Sequence, residues 1–166
     1  IAVLGDLTGD GVDEFGTQMI SFGPFYEDLS TTKAYTSTPS LTVSNAHISS
    51  SIGGNIDYQI NFGPSANSYE YRMLMSFTQG TTPIGTCLVN LGYDLWMGKT
   101  YLGQWPSVFS NTSGFLDAVG MSLVQLSTSQ VPASLIGTTI YFAAIARMPW
   151  DGWSRASNTV DLEIVQ

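Results

Sequence analysis

The stretch IDYQINF, residues 56–62, decides the fold class of this chain. Every second residue from Ile56 to Phe62 is apolar, and the residues between them are polar. A period of two places the apolar side chains on one face of an extended strand, where they can pack into a core. The pattern therefore predicts a half-buried β-strand.

Similar patterns predict further strands at residues 41–45, 69–78, 138–147 and 160–164. The third of these reads TTIYFAAIAR and is almost wholly apolar, which is typical of a central strand. Turn-forming clusters of Gly, Pro, Ser and Asn separate the strands at 51–54, 63–67, 80–83 and 110–114. We therefore expect an all-β fold, an antiparallel β-sandwich that is Ig-like or jelly-roll-like, over residues 41–166. No helix of ten or more residues is expected, and single helical turns are expected at 116–119 or 133–136.

The composition indicates a polar but weakly charged surface. Hydrophobic residues make up 43% of the 166 residues and charged residues only 11%, against a usual charged share of about 25%. The net charge is −8 with five basic residues, which argues against nucleic-acid binding. No apolar run approaches the ~18 residues of a membrane span. We expect an extracellular or cell-surface protein, and a processed form or fragment because the chain begins with Ile1.

The stretch DLTGDGVDE, residues 6–14, is the one whose spacing predicts a specific chemistry. Ca²⁺ prefers several oxygen ligands, some of them carboxylates and one usually a backbone carbonyl. This loop offers side-chain oxygens and one carbonyl at Asp6, Thr8, Asp10, Val12 and Glu14. An EF-hand would need Glu at the twelfth position, which is Thr17, so that interpretation fails. The alternatives that stay open are a Ca²⁺ loop and a solvated acidic turn.

The loop resembles the calcium loop of FG-GAP repeats, the blades of integrin-like β-propellers. It departs from that pattern at Thr8, where Asn or Asp is usual, and at Glu14, where Asp is usual. The resemblance implies a cation loop that follows a strand at 1–4, and the apolar residues at 18–22 predict a second strand. We therefore expect a hairpin carrying the cation loop over residues 1–25. A Thr- and Ser-rich linker or arm is expected at 26–40. One copy cannot form a propeller, which needs several blades.

A second resemblance covers residues 41–166, on the motifs NFGPSA at 61–66, GTTP at 80–83 and IYFA at 140–143. This span resembles the C-terminal β-sandwich module of large secreted bacterial repeat proteins. That family has no established catalytic activity, so the resemblance implies no catalytic residues. We expect a secreted, non-enzymatic structural or adhesive module with neighbouring modules or copies of itself as partners. An isolated acidic hairpin also suggests assembly into a fibre or sheath, with Ca²⁺ stiffening the junction.

Aromatic residues cluster at 91–106 and 148–155, with Asp94, Asp151 and Arg155 beside them. The aromatic side chains concerned are Tyr93, Trp96, Tyr101, Trp105, Trp150 and Trp153. They could cap the ends of the core, form a protein interface, or stack on sugar rings while the three polar residues bind hydroxyl groups. The last alternative would make the chain a carbohydrate-binding module that takes polysaccharide.

The remaining reactive residue types do not form a recognisable catalytic set. The chain has one histidine, His47, which we expect to be structural or at the surface, and one cysteine, Cys87, which we expect to be buried. There is no G-x-S-x-G motif, and nothing selects a pair of carboxylates for glycoside hydrolysis. Asn111 begins an N-x-[ST] sequon, which predicts a glycosylation site in an exposed loop. We therefore expect that the protein is not an enzyme, and the enzymatic alternative that stays open is a hydrolase.

Overall fold

Strands dominate the computed structural model, which describes residues 2–5, 14–17, 33–35 and 40–166. Strands take up 46% of the chain, beside one short helix, and form several antiparallel sheets, one of them curled into a half-barrel. The all-β fold class is therefore confirmed. The chain divides into two compact units, Ile1–Pro39 and Ser40–Gln166.

The described residues of the first unit include three short strands, which form one antiparallel sheet in chain order. They are β1 (Ala2–Gly5), β2 (Glu14–Thr17) and β3 (Lys33–Tyr35). Gly5 pairs with Glu14, so residues 6–13 connect two strand ends that lie side by side. The stretch predicted as a linker contains the strand β3, whose backbone pairs with β2. The second strand predicted at 18–22 lies outside the described residues.

The second unit contains twelve strands and one α-helix among its described residues. Its first six strands are β4 (Leu41–Val43), β5 (His47–Ser49), β6 (Gly54–Asn61), β7 (Glu70–Ser76), β8 (Thr82–Ile84) and β9 (Cys87–Val89). The helix α1 (Leu95–Tyr101) follows. The last six strands are β10 (Phe109–Ser110), β11 (Ser113–Phe115), β12 (Met121–Thr128), β13 (Thr139–Arg147), β14 (Arg155–Ala156) and β15 (Val160–Val165). Short 3₁₀ turns occur at Pro64–Ala66 and Ala133–Leu135, and the second is one of the two single turns that were predicted.

Two sheets hold most of these strands. A four-stranded sheet has the order β10-β12-β6-β4, and a six-stranded sheet has the order β11-β7-β13-β15-β5 with β14 beside β13. Pairing is antiparallel except between β15 and β5, which run parallel. The β8–β9 hairpin forms a separate small sheet.

Buried side chains from the two large sheets form one cluster, which we call the main core. Tyr58 and Val124 come from the four-stranded sheet, and Met75, Phe142 and Leu162 come from the six-stranded sheet. The rings of Tyr58 and Phe142 lie 4.8 Å apart across it. The period of two that the sequence shows from Ile56 onward thus places alternate β6 side chains in this core.

The other face of the six-stranded sheet is covered by α1, the β8–β9 hairpin and the loop that contains Trp153. The side chains buried there form a second core: Leu74, Val89, Leu91, Met97, Ala143, Ile145 and Trp153. Because β13 contributes to both cores, its sequence is apolar on both faces. This second layer was not predicted, since the seven residues of α1 are too few to show a helical period.

The longest strand that the sequence interpretation missed is β12. It pairs with β6 over eight residues, from Met121 opposite Asn61 to Thr128 opposite Gly54. Its buried residues Val124 and Leu126 alternate with the exposed residues Leu123, Gln125 and Ser127, and because Leu123 is apolar the period of two in the sequence is short. Conversely, β8 begins inside the stretch 80–83, which was predicted as a turn.

Candidate functional site

A shallow groove lies between α1 and the β8–β9 hairpin and encloses about 680 Å³. Pro83 and Ile84 line it from the hairpin, and Leu95 and Leu102 line it from the helix and its end. We call it the helix groove. Its only described charged lining residues are Asp94 and Lys99.

Asp94 positions the helix at one side of the groove. One carboxylate oxygen accepts a hydrogen bond from the Met97 backbone N–H at 2.8 Å, which is an N-cap contact. The other oxygen accepts from the Phe77 N–H at 2.7 Å and from the Ser76 hydroxyl at 3.0 Å. The side chain therefore joins the start of α1 to the end of β7.

Thr100 holds the other end of the helix on the same strand. Its hydroxyl accepts a hydrogen bond from the Met75 N–H at 3.1 Å and donates to the Trp96 carbonyl at 3.0 Å. Met75 and Phe77 are two residues apart, so their N–H groups point to the same edge of β7. Thr100 and Asp94 thus satisfy an edge that would otherwise be open for pairing.

The groove carries large apolar side chains that are mostly exposed. Tyr93 is 77% exposed, Leu95 is 70% exposed and Leu102 is 69% exposed. Contiguous apolar exposure of this kind is typical of interaction sites. Of these three residues, the sequence singled out only Tyr93. A leucine within or just after a short helix carries no sequence signal that it faces solvent.

The structure divides the six aromatic residues that the sequence singled out into buried, half-buried and exposed ones. Trp153 is 6% exposed and belongs to the second core, so its ring offers no free face. Arg72 and Arg147 lie over its ring, with guanidinium carbons 5.5 Å and 4.6 Å from the centroid. Glu70 accepts two hydrogen-bonding contacts from Arg147, at 2.8 and 2.7 Å, which neutralises part of this charge.

Three more of the aromatic residues are half-buried. Trp96 and Trp105 pack against the main core, and Tyr101 packs against the second core. Trp105 lies 4.8 Å from Phe109 in an edge-on arrangement. These three side chains cap the cores, which was one of the three predicted alternatives. Tyr93 and Trp150 are the two that are mostly exposed, and Trp150 is fully exposed with a φ of 73°.

The polar residues proposed for sugar binding are already engaged within the protein. Asp94 caps α1, and the Asp151 carboxylate accepts from the Gly152 N–H at 2.8 Å. The Arg155 guanidinium donates to the Phe62 carbonyl at 3.2 Å and lies 4.9 Å from the Tyr69 ring centroid. Their partners are backbone groups, the hydroxyls of Ser76 and Ser65, and one ring, which sequence spacing could not indicate.

The metal-ligand residues Asp6, Thr8, Asp10 and Val12 lie outside the described residues. Glu14 is the first residue of β2. Within the parts of the chain that the structure describes, no three His, Cys, Asp or Glu side chains gather where they could hold a metal ion. The Ca²⁺ loop therefore stays a prediction.

His47 lies at the surface in β5, with its Nδ1 atom 3.3 Å from a Glu163 oxygen. Cys87 is half-buried, and its thiol contacts the Ile84 carbonyl at 3.0 Å. Burial raises the pKa of the Cys87 thiol, and a backbone hydrogen bond lowers it by less. The neutral thiol is therefore favoured at neutral pH, and a thiolate nucleophile is disfavoured.

Asn111, the first residue of the sequon, is exposed and has a φ of 56°. Its carbonyl accepts a hydrogen bond from the Tyr71 hydroxyl at 2.7 Å, which holds the turn against β7. The Asn111 backbone is in the left-handed conformation, which Asn tolerates better than most residues do. Its side chain projects from this turn.

A scan against protein-family models finds no match for this chain, and a search of curated proteins finds none either. The resemblances to FG-GAP loops and to modules of secreted repeat proteins stay predictions. No helix among the described residues is long and apolar enough to cross a membrane.

Proposed function

We propose that this protein is a non-enzymatic, secreted structural or adhesive module whose second unit is a β-sandwich of Ig-like or jelly-roll-like type. The observation that carries the proposal is the helix groove with its exposed apolar rim of Tyr93, Leu95 and Leu102. The two large sheets that share the main core support the sandwich assignment.

The proposed occupant of the helix groove is a second copy of the chain or a neighbouring module of a larger surface protein. Both charges in the groove already have partners within the protein. Asp94 accepts three hydrogen bonds, and the Lys99 ammonium lies 4.9 Å from the Trp96 ring centroid. What remains for a partner is apolar surface, which favours protein contact over a charged ligand.

Sedimentation velocity over a range of concentrations tests this assignment. The double variant Tyr93→Ser/Leu102→Ser removes two exposed apolar side chains that make little contact with the core. We expect it to lower the association constant at least tenfold. Ile52→Ser is the matched control, because Ile52 is 79% exposed but does not line the groove. Equal self-association of the double variant and the control would count against the proposal, as would a wild-type chain that stays monomeric at high concentration.

We also propose that residues 6–14 bind Ca²⁺ through Asp6, Thr8, Asp10, the Val12 carbonyl and Glu14. The pairing of Gly5 with Glu14 supports this, because it brings the two ends of the loop together. Isothermal titration with CaCl₂ should show one site, and Asp10→Asn should weaken binding at least tenfold. Asp161→Asn makes the same charge change at an exposed position of β15 and should leave the affinity unaltered. Similar loss in both variants would mean that the chain attracts Ca²⁺ only through its net charge.

Ca²⁺ and assembly are linked in the fibre or sheath that we propose. Sedimentation with Ca²⁺ and then with EDTA tests the link directly. Species that shrink on chelation support it, whereas association that is indifferent to chelation separates the loop from assembly.

A second candidate function is carbohydrate binding, which the full exposure of Trp150 favours. An exposed indole face can stack on a sugar ring. Titration of the chain with soluble polysaccharide should then shift tryptophan fluorescence, and Trp150→Ala should abolish the shift. A shift that persists in Trp150→Ala would reject this assignment.

A further inference from the structure

A second cavity, separate from the helix groove, enters the main core between the two large sheets. It encloses about 290 Å³ at the end where β7 and β12 finish and β13 begins. We call it the core pocket. Buried side chains line its inner part, including Ile48, Met75 and Ile164. Half-buried side chains line its outer part, including Val131 and Leu135.

The lining of the core pocket is almost wholly apolar. Sixteen described residues line it, and apart from the Trp96 indole only Thr128 and Gln130 have polar side chains. The Thr128 hydroxyl is already used, because it donates to the Gln130 carbonyl at 2.7 Å. None of the sixteen is charged, so a charged group placed inside would lose its hydration without gaining a partner.

The volume of the core pocket is unusual for a packing defect. Protein interiors pack as densely as organic crystals, and voids larger than a water molecule are few. An apolar cavity of roughly 150 Å³ stays dry and accepts benzene. The core pocket is about twice that size and lies near the lower end of ligand pockets, which span about 300–1,000 Å³.

We propose that the core pocket binds a neutral apolar molecule of ~10 carbon atoms, such as a two-ring aromatic or a compact branched hydrocarbon group. The lining sets the class of ligand, since it offers dispersion contacts along the walls of the pocket and no counter-charge. The ring of Trp96, 6.0 Å from that of Phe77, adds aromatic surface for such a ligand. This site does not depend on the helix groove, because none of Tyr93, Leu95 and Leu102 lines it.

Binding of 1-fluoronaphthalene to the full chain, followed by ¹⁹F NMR, tests the proposal. This probe is neutral, has ten carbon atoms and reports its own environment. We expect saturable binding with a shifted and broadened resonance. Naphthalene-1-sulfonate has the same ring system with a charge, and we expect it to bind at least tenfold more weakly because the pocket holds no cation.

Val131→Phe and Leu135→Phe each add volume at the outer part of the core pocket. Both positions are half-buried and line the pocket, so the added ring volume lies next to the space that the probe would occupy. Each variant should weaken binding of 1-fluoronaphthalene at least tenfold. Far-UV circular dichroism checks folding, because Trp96 lines the pocket and its fluorescence would change even in a folded variant; a variant that does not fold is replaced by the other. Leu102→Ser, in the helix groove, should bind as the wild type does.

Three results would overturn the proposal. The first is a wild-type chain that shows no saturable binding. The second is wild-type affinity in a folded Val131→Phe or Leu135→Phe variant. The third is a loss of binding in Leu102→Ser, which would place the probe in the helix groove instead.

Discussion

Replacement of Asp94 by Ala should destabilise the second unit. The expected loss is larger than that from replacing any other exposed or half-exposed Asp or Glu in this unit by Ala. Asp94→Ala removes an N-cap contact to Met97, which is typically worth about 1 kcal/mol. It also leaves the Phe77 N–H without its carboxylate acceptor, and hydrogen bonds to charged groups contribute about 1.5–3 kcal/mol. The Ser76 hydroxyl adds little, because it also contacts the carbonyls of Thr78 and Gly92.

Because Asp94 is half-exposed, solvent weakens these contacts, so the typical cap value and the lower end of the range for the Phe77 hydrogen bond apply. The sum is a loss of about 2.5 kcal/mol in the free energy of unfolding. Asp94→Asn keeps one acceptor oxygen and should lose about half of that amount. Asp161→Ala removes an exposed carboxylate with the same charge and should change stability by less than about 0.5 kcal/mol.

Urea unfolding followed by tryptophan fluorescence measures these differences in the second unit, because all four tryptophans lie within residues 40–166. The slope of free energy against urea should stay constant if only stability changes. Thr100→Val supplies a parallel case, since it removes the acceptor for the Met75 N–H on the same edge of β7. If Asp94→Ala unfolds at the same urea concentration as Asp161→Ala, Asp94 does not close this edge and the argument fails.

Two further predictions follow from the cores. Tyr58→Phe should raise the free energy of unfolding by about 1 kcal/mol at neutral pH, because the buried Tyr58 hydroxyl has no hydrogen-bond partner among the described residues. Burial also raises the pKa of Tyr58 above its ordinary value of 10.0, so the folded state holds its proton longer than the unfolded state. Ionisation of Tyr58 therefore leaves the free energy of unfolding unchanged below pH 10 and lowers it as the pH rises further. Tyr58→Phe should make this fall with pH shallower in urea titrations, and an unaltered pH dependence would refute the argument. Gly120→Ala should cost about 3 kcal/mol, since its Cβ would lie 1.8 Å from the Gly63 carbonyl at a φ of 77°. Gly103→Ala is the control, with a φ of 80° but open space around it, and should cost about 1 kcal/mol by thermal unfolding; equal losses would contradict the steric argument.

The candidate sites show where local sequence stops being informative. Trp150 and Trp153 lie in the same short stretch, yet one is fully exposed and the other is 6% exposed. Trp153 packs in the second core, and Arg72 and Arg147 approach its ring from two neighbouring strands. The sequence around Asp94 likewise does not show that the Phe77 N–H, at the end of β7, donates to its carboxylate.

The sequence by itself determined the β class and the positions of most long strands in this protein. Period-two alternation is a local property, because successive side chains of a strand point to opposite faces whatever the partner is. It therefore located β6, β7 and β15 within one or two residues, whereas the continuous apolar run at 138–147 located β13. Only the tertiary structure decided the parallel pairing of β15 with β5, the second core under α1, and the core pocket. These features depend on which distant segments come together, and that depends on the packing of the whole unit rather than on any one stretch.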